Sequence, residues 1–334
     1  MNDLEKLFLS KLKHMYDAEH QVVEALSEMQ EAAEPSVKNA LTEHLEESRE
    51  QVRRVSSVFD DFGQSPERKT CHGMAGIINE GRRMLQQMPG SAPLILSARK
   101  IEHYEISSYG SLCTWAEKLD RKEVLRTLKQ NLSEEKEAAQ TLAALAESTV
   151  PDTNELSRLF QFQLREMYDG EHLLAQALAE IEFYAVSKVL KFAVHHHLKQ
   201  TDKHFKRLEK VFKRIDVQPD RRPCKGIEGI IDDAQVTVLE FLDNSALDAA
   251  LIAAGQVAEH YEIVTYEALC GWAKELGQIQ ALDLLSANLN EEKRTDKALT
   301  LLAVASRNGE AMHHDTPKKS DQEAALAKAM THGA

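Results

Sequence analysis

The chain is written twice, and no other feature constrains its fold as strongly. Met-Tyr-Asp-Ala-Glu-His at Met15–His20 returns as Met-Tyr-Asp-Gly-Glu-His at Met167–His172. Glu-His-Tyr-Glu-Ile at Glu102–Ile106 returns unchanged at Glu259–Ile263. Cys71 and Gly73 recur as Cys224 and Gly226, Cys113 and Trp115 as Cys270 and Trp272, and Asn131–Lys136 as Asn288–Lys293. The order is the same throughout, so the second copy differs by short insertions in its loops. A duplicated segment of this length is a fold unit in its own right, and 334 residues is ample for two ordinary domains. We place them at residues 1–149 and 150–307, split where Val150, Pro151 and Asp152 end one helix and cap the next. The polar segment 308–334 is expected to be a disordered tail.

Within a unit, the apolar residues fall at helical spacing. On the first helix they are Phe8, Leu12, Met15, Val22, Leu26 and Met29, and in the copy Phe160, Leu164, Met167, Leu174, Leu178 and Ile181. Aromatic residues are only 6% and glycine and proline are scarce, which disfavours sheets. The pattern predicts helices over about 3–33, 36–62, 94–119 and 122–147, with a shorter one over 72–88 ended by Pro89, Gly90 and Pro93. The second half repeats this. The fold class is therefore all-α, with two tandem four-helix bundles, each carrying an extra short helix between its second and third members.

A net charge of −13 leaves no basic face for nucleic acid. No apolar run reaches the roughly 18 residues of a membrane span. The N-terminus does not read as a signal peptide, and none of the four cysteines forms a Cys-x-x-Cys pair. A cytoplasmic protein with reduced thiols is expected.

The chemistry lies in polar residues on the apolar stripes. Glu19 is the one charge on the first helix's stripe, as Glu171 is in the copy. The last helix places Glu135 among Leu128, Leu132 and Leu142, and its copy places Glu292 with Asp296 one turn on. Glu102 and Glu105, with copies Glu259 and Glu262, interrupt the third helix. The second helix carries His44, Ser48 and Gln51 with Glu47 beside them, and its copy carries His197, Gln200, Thr201 and His204. A carboxylate buried alone is costly, so these acids must be protonated, paired or bound to metal. One Glu from each of two helices plus an acid–imidazole pair from each of the others is how ferritin-like bundles build a dinuclear site. Oxygen-rich ligands with a few imidazoles suit iron or manganese, two ions per intact site. Glu80 and its counterpart Asp233, on the short helix, are further candidate ligands.

These motifs resemble the ferritin-like family of the bacterial YciE and YciF stress proteins, a domain of unknown function. The carriers are Tyr16-x-x-Glu19, His44-x-x-Glu47-Ser48-x-x-Gln51, Cys71-x-Gly73, Glu102-His103-Tyr104-Glu105 with Tyr109, and Glu134-Glu135-Lys136, with their copies. The resemblance covers nearly all of the chain once per half. It implies stress defence by oxygen or peroxide chemistry at bound metal. Since family members resemble single units that dimerise, it also implies a covalently joined pseudo-dimer, with further homo-oligomerisation open. The alternative is a metal-poor helical scaffold whose acids share protons.

Neither half has a Glu-x-x-His pair on a bundle helix. Gln200 stands opposite Glu47, and Ala139 opposite Asp296. The sites are therefore expected to be unequal, each half lacking an acid the other keeps. Tyr16, Tyr109 and their copies are expected to hydrogen-bond the acids. Of His195, His196 and His197, only one can face the core.

Overall fold

The structure, a computed structural model, describes residues 1–305; the expected tail, with its Glu310-x-x-His313, lies outside them. All ten α-helices of the described part are antiparallel-bundle elements or the short helices between them. They are α1 (Asp3–Ala32), α2 (Pro35–Val58), α3 (His72–Gln87), α4 (Ser91–Lys118), α5 (Lys122–Ser148), α6 (Thr153–Tyr184), α7 (Lys188–Arg214), α8 (Lys225–Phe241), α9 (Leu247–Glu275) and α10 (Ile279–Ala305). The chain is all-α, with two tandem bundles and a short helix in each. Among the described residues, no helix is long and apolar enough to cross a membrane.

The helix ends follow from the residues placed there. Asn2 accepts a hydrogen bond from the Glu5 amide, Asp152 from Asn154 and Glu155, and Ser187 from Val189, each satisfying an amide that the helix leaves open. Pro35 occupies the first position of α2, where its missing N–H costs nothing. For the same reason Pro93 does not break the chain as expected: it sits in the first turn of α4, which begins at Ser91. The second helix is also shorter than expected, ending at Val58 before a 3₁₀ turn at Asp60–Phe62 and a left-handed Gly63. The α4–α5 turn is closed by Asp120 in the left-handed region, and the matching α9–α10 turn by Gly277.

Two compact units result. One comprises Met1–Leu159 with Lys225–Asp233, the other Phe160–Cys224 with Ala234 onward. In the first unit α1 and α2 form a hairpin, as do α4 and α5; α1 also packs on α4, and α2 on α5. Ser91, at the start of α4, donates to Glu34, at the start of α2. So α2 and α4 run the same way, α1 and α5 the other, and the link through α3 crosses the length of the bundle. This single long crossover is the ferritin-like connectivity. In the second unit Val186 and Ser187 donate to Asp248 near the start of α9, setting the same direction. Its core joins Phe160, Leu164 and Met167 of α6, Leu208, Val211 and Phe212 of α7, Tyr266 and Leu269 of α9, and Leu285 of α10.

A pair of acids outside the predicted set secures the crossovers. Asp17 accepts hydrogen bonds from the Cys71 amide (2.9 Å) and Arg68 (2.7 Å). Asp169 does the same with the Cys224 amide (2.9 Å) and Arg221 (2.7 Å). Each clamps the entry to the short helix against the first helix of its half. Those bonds hold the Asp17 carboxyl below its ordinary range despite the opposing effect of burial.

None of the four cysteines is in a disulfide, and three are buried. Cys71 lies 2.9 Å from the Tyr104 hydroxyl, and burial pushes its thiol upward. A thiol so held is a packing element rather than a nucleophile.

Candidate metal centre

Mid-length turns of four helices bring their polar residues to one point in each unit. In the first, His44 (α2), Glu102 and Glu105 (α4) and Glu135 (α5) each present a donor atom within 4.8 Å of the others. The three glutamates are fully buried and His44 is nearly so. Glu102 and Glu105 share a face because residues three apart on a helix are neighbours. The His44 Nε2 is 3.0 Å from a Glu102 oxygen. Glu19 of α1 completes the wall, accepting a hydrogen bond from the Tyr109 hydroxyl.

In the second unit the corresponding group is His197 (α7), Glu259 and Glu262 (α9) and Glu292 (α10). The His197 Nε2 is again 3.0 Å from the first acid of the pair, Glu259. Here a second group overlaps the first: Glu171 (α6), His204 (α7) and Glu292. His204 stands two turns beyond His197, on the same face of α7, and is fully buried. It lies on the polar stripe of the second helix's copy but is not among the ligands expected from the sequence. Two histidines at i and i+7 on a core face were the signal.

Charge crowding shapes both clusters. Burial raises the Glu19 carboxyl to about 8, against the lowering effect of the Tyr109 hydrogen bond and His44. Glu105 and Glu135 are raised well above the ordinary range, first by burial and then by neighbouring acids. Glu259 and Glu262 follow suit, and Glu292 rises to about 7, burial outweighing the pull of His204. Burial would lower His44, but Glu102 outweighs it and holds the imidazole well above its usual value. His197 is lowered instead: burial dominates, and the positive charge of His204 opposes the acids around it.

A relay of hydrogen bonds behind each cluster fixes its outer wall. Asn131 donates to the Tyr109 hydroxyl (2.8 Å), Arg54 donates to Asn131 (2.6 Å), and Arg54 also pairs with Glu134. The second half repeats this with Asn288, Tyr266, Arg207 and Glu291. The relays differ at one position. Gln51 donates its amide to Glu134 (3.1 Å), whereas the His204 Nε2 faces Glu291 at 2.8 Å. Those partners hold Glu291 down at about 2, although burial alone would raise it.

Other candidates lie elsewhere. Glu47 has a half-exposed side chain whose carboxylate is 3.8 Å from the His44 Nδ1, outside the cluster. Asp296 faces His260 at 3.6 Å. Glu80 pairs with the buried Lys100 and accepts from the Gly226 amide (3.1 Å). Asp233 caps α3, accepting from the amides of His72 and Gly73 at 2.9 Å each. Glu80 and Asp233 are thus engaged by an ammonium and by helix-start amides, away from the metal-like clusters. Tyr16 also departs from expectation: it is half-buried and packs edge-on against His20 and Phe59, leaving the contact with the acids to Tyr109. His195, whose Nδ1 is 3.2 Å from Glu182, and His196, against Gln200, point away from the core, as one-in-three geometry requires.

The donor set fits a hard divalent cation. Both oxygens of Glu105, Glu135 and Glu262 are buried without a hydrogen-bond donor, as is one oxygen each of Glu19, Glu171 and Glu259. So many acids cannot ionise together in a dry core without a cation, and oxygen with imidazole is what iron and manganese take.

Comparison with known proteins gives the chain a family. Protein YciF of Escherichia coli (strain K12) is 36% identical over 156 residues, covering 45% of this chain and 94% of that protein. The crystal structure of the E. coli stress protein YciF aligns at 35% identity and a TM-score of 0.43, over 46% of this chain and 97% of its own. YcfI from Rhodopseudomonas palustris aligns at 36% identity and a TM-score of 0.43, over 43% of this chain and 92% of its own. The family described as Domain of unknown function (DUF892) matches twice, at residues 3–154 and 155–312, and the chain belongs to it as a tandem pair.

Proposed function

We propose that each half binds iron or manganese between its inward-facing glutamates, and that the protein consumes dioxygen or peroxide as part of a stress defence. The observation that carries this reading is the set of fully buried carboxylate oxygens with no hydrogen-bond donor, converging from four helices beside an imidazole. A structural role alone gives no reason to keep four acids where an apolar residue would cost less. The description of YciF as a stress protein supports the setting.

The chemistry that bound Fe(II) or Mn(II) would supply is the two electrons that, with two protons, convert peroxide to two waters. The chain's own residues supply the rest. Glu102, Glu105 and Glu135, with Glu259, Glu262 and Glu292, would hold the cation. Tyr109 and Tyr266 orient Glu19 and Glu171 by donating to one oxygen and leaving the other turned inward. Complete burial excludes bulk water and admits only a very small reactant, which favours dioxygen or peroxide over an organic substrate.

The test is anaerobic loading of the full chain with Fe(II) or Mn(II), removal of free metal, and elemental analysis. The intact chain should retain metal, and a Glu105→Gln/Glu262→Gln variant should lose at least about tenfold in affinity while keeping its helical signal. Peroxide consumption by loaded protein should fall in parallel. Absence of retained metal, or peroxide turnover equal to that of a Glu19→Ala/Glu171→Ala variant, overturns the reading and leaves the metal-poor scaffold.

A further inference from the structure

The two halves keep the same acids but not the same imidazoles. The first cluster gathers Glu102, Glu105, Glu135 and His44, with Glu19 close enough to feel the charges of His44 and Glu102; the second draws on Glu171, Glu259, Glu262, Glu292, His197 and His204. Four carboxylates with two imidazoles is the full donor set of a ferritin-like dinuclear centre. Only the second half has it. At the position equivalent to His204 the first half has Gln51, equally buried, whose amide nitrogen is spent on Glu134 and whose oxygen is a weak, uncharged donor.

The geometry around His204 is that of a ligand rather than a packed residue. Its Nε2 faces Glu291 at 2.8 Å, which fixes that nitrogen as the donor. Its Nδ1 is thereby turned inward, 2.7 Å from a Glu292 oxygen and 3.4 Å from Glu171. Metal-binding histidines almost always donate one ring nitrogen to a carboxylate, carbonyl or water and keep the other for the ion. Glu292 sits between the two groups of donors. Its Oε1 is toward His204, and its Oε2 is toward the Nδ1 of His197 at 3.9 Å. With an oxygen toward each imidazole, Glu292 belongs to both groups of donors.

We propose that the halves hold unequal numbers of metal ions, two in the second and one in the first, because His204 supplies the second ion's imidazole where the first half has Gln51. This rests on the reading that the clusters bind iron or manganese. It moves the inequality of the halves away from Glu47/Gln200 and Ala139/Asp296, whose acids lie outside the clusters, to Gln51/His204.

The experiment is titration of the full, metal-stripped chain with Mn(II), counting tightly bound ions by elemental analysis after desalting and recording electron paramagnetic resonance spectra. The wild type should retain about three ions per chain, His204→Gln about two, and Gln51→His about four. An exchange-coupled signal from paired Mn(II) should be present in the wild type, lost in His204→Gln and enlarged in Gln51→His. Circular dichroism identifies a variant that fails to fold, and His204→Asn then takes the place of His204→Gln. Equal occupancy of the halves, or a count and spectrum unmoved by either substitution, overturns the proposal while leaving the metal centre standing. Binding of no Mn(II) or Fe(II) by any form overturns the metal centre itself.

Discussion

Lys100→Met should destabilise the protein by about 3–5 kcal/mol, the cost of breaking a buried ion pair by removing one partner. Lys100 is 1% exposed and Glu80 fully buried, and the two are in direct contact. The lysine reaches Glu80 from α4, and Glu80 in turn accepts from the Gly226 amide. Removing the ammonium takes the positive charge away from a buried carboxylate that still accepts from the Gly226 amide. The companion variant Lys100→Met/Glu80→Gln keeps an oxygen for the Gly226 amide and removes the uncompensated charge, so it should recover most of the loss. Urea denaturation of the three proteins measures both effects. If the double variant is as unstable as the single one, the damage is lost packing and the ion pair is incidental. Because Glu80 is committed to Lys100, Glu80→Gln should leave the metal content of either half unchanged.

A second large effect concerns pH. In the metal-free protein the Glu19 and Glu292 carboxyls titrate near 8 and 7, against about 4.3 in an unfolded chain. The folded state therefore holds protons that the unfolded state has released. Stability from these groups is fully present below about pH 4.3 and is lost as pH rises through 7 and 8. His44 and His204, both raised above their ordinary value, act in the same direction, their contribution fading as pH climbs past the unfolded value of about 6.5. The Tm of metal-free protein should thus fall between pH 5.5 and 8.5, by on the order of 10 °C at about 2–4 °C per kcal/mol for a domain of this size. Glu19→Gln/Glu292→Gln should flatten the slope. Bound metal should reverse it, since a cation competes with protons for these oxygens and wins as pH rises. A Tm in metal-free buffer that is level or increasing across this range would show that the acids are not held protonated.

The fold could be read from the sequence because two independent regularities agree. The repeat sets the unit, and the spacing of Phe8, Leu12, Met15, Val22 and Leu26 sets helices of the observed length. Glu19, Glu105 and Glu135 were legible for the same reason: each is a charge where the period demands an apolar residue. What escaped has an equally physical origin. Pro93 was read as a breaker because its effect depends on whether it falls inside the first turn, which the spacing of apolar residues does not fix. Glu80 and Asp233 looked like ligands because they are acids on a buried helix, but their partners come from distant positions, Lys100, Gly226, His72 and Gly73, that no local pattern connects. Lys100 itself was invisible, since a lysine on a helix is ordinarily solvated. His204 was written on the stripe, yet its weight depends on which of its nitrogens faces Glu291 and which faces Glu292, a matter of rotamer rather than of spacing.

Complete burial of the clusters has a further consequence, for rates rather than for affinity. The side chains of both clusters are almost entirely buried, so an ion bound there would exchange only when helices part. Release should then proceed at the rate of that opening, independent of the strength or concentration of the chelator once it is in excess. A metal held this way behaves as a fixture of the fold, insulated from short-lived swings in the surrounding supply.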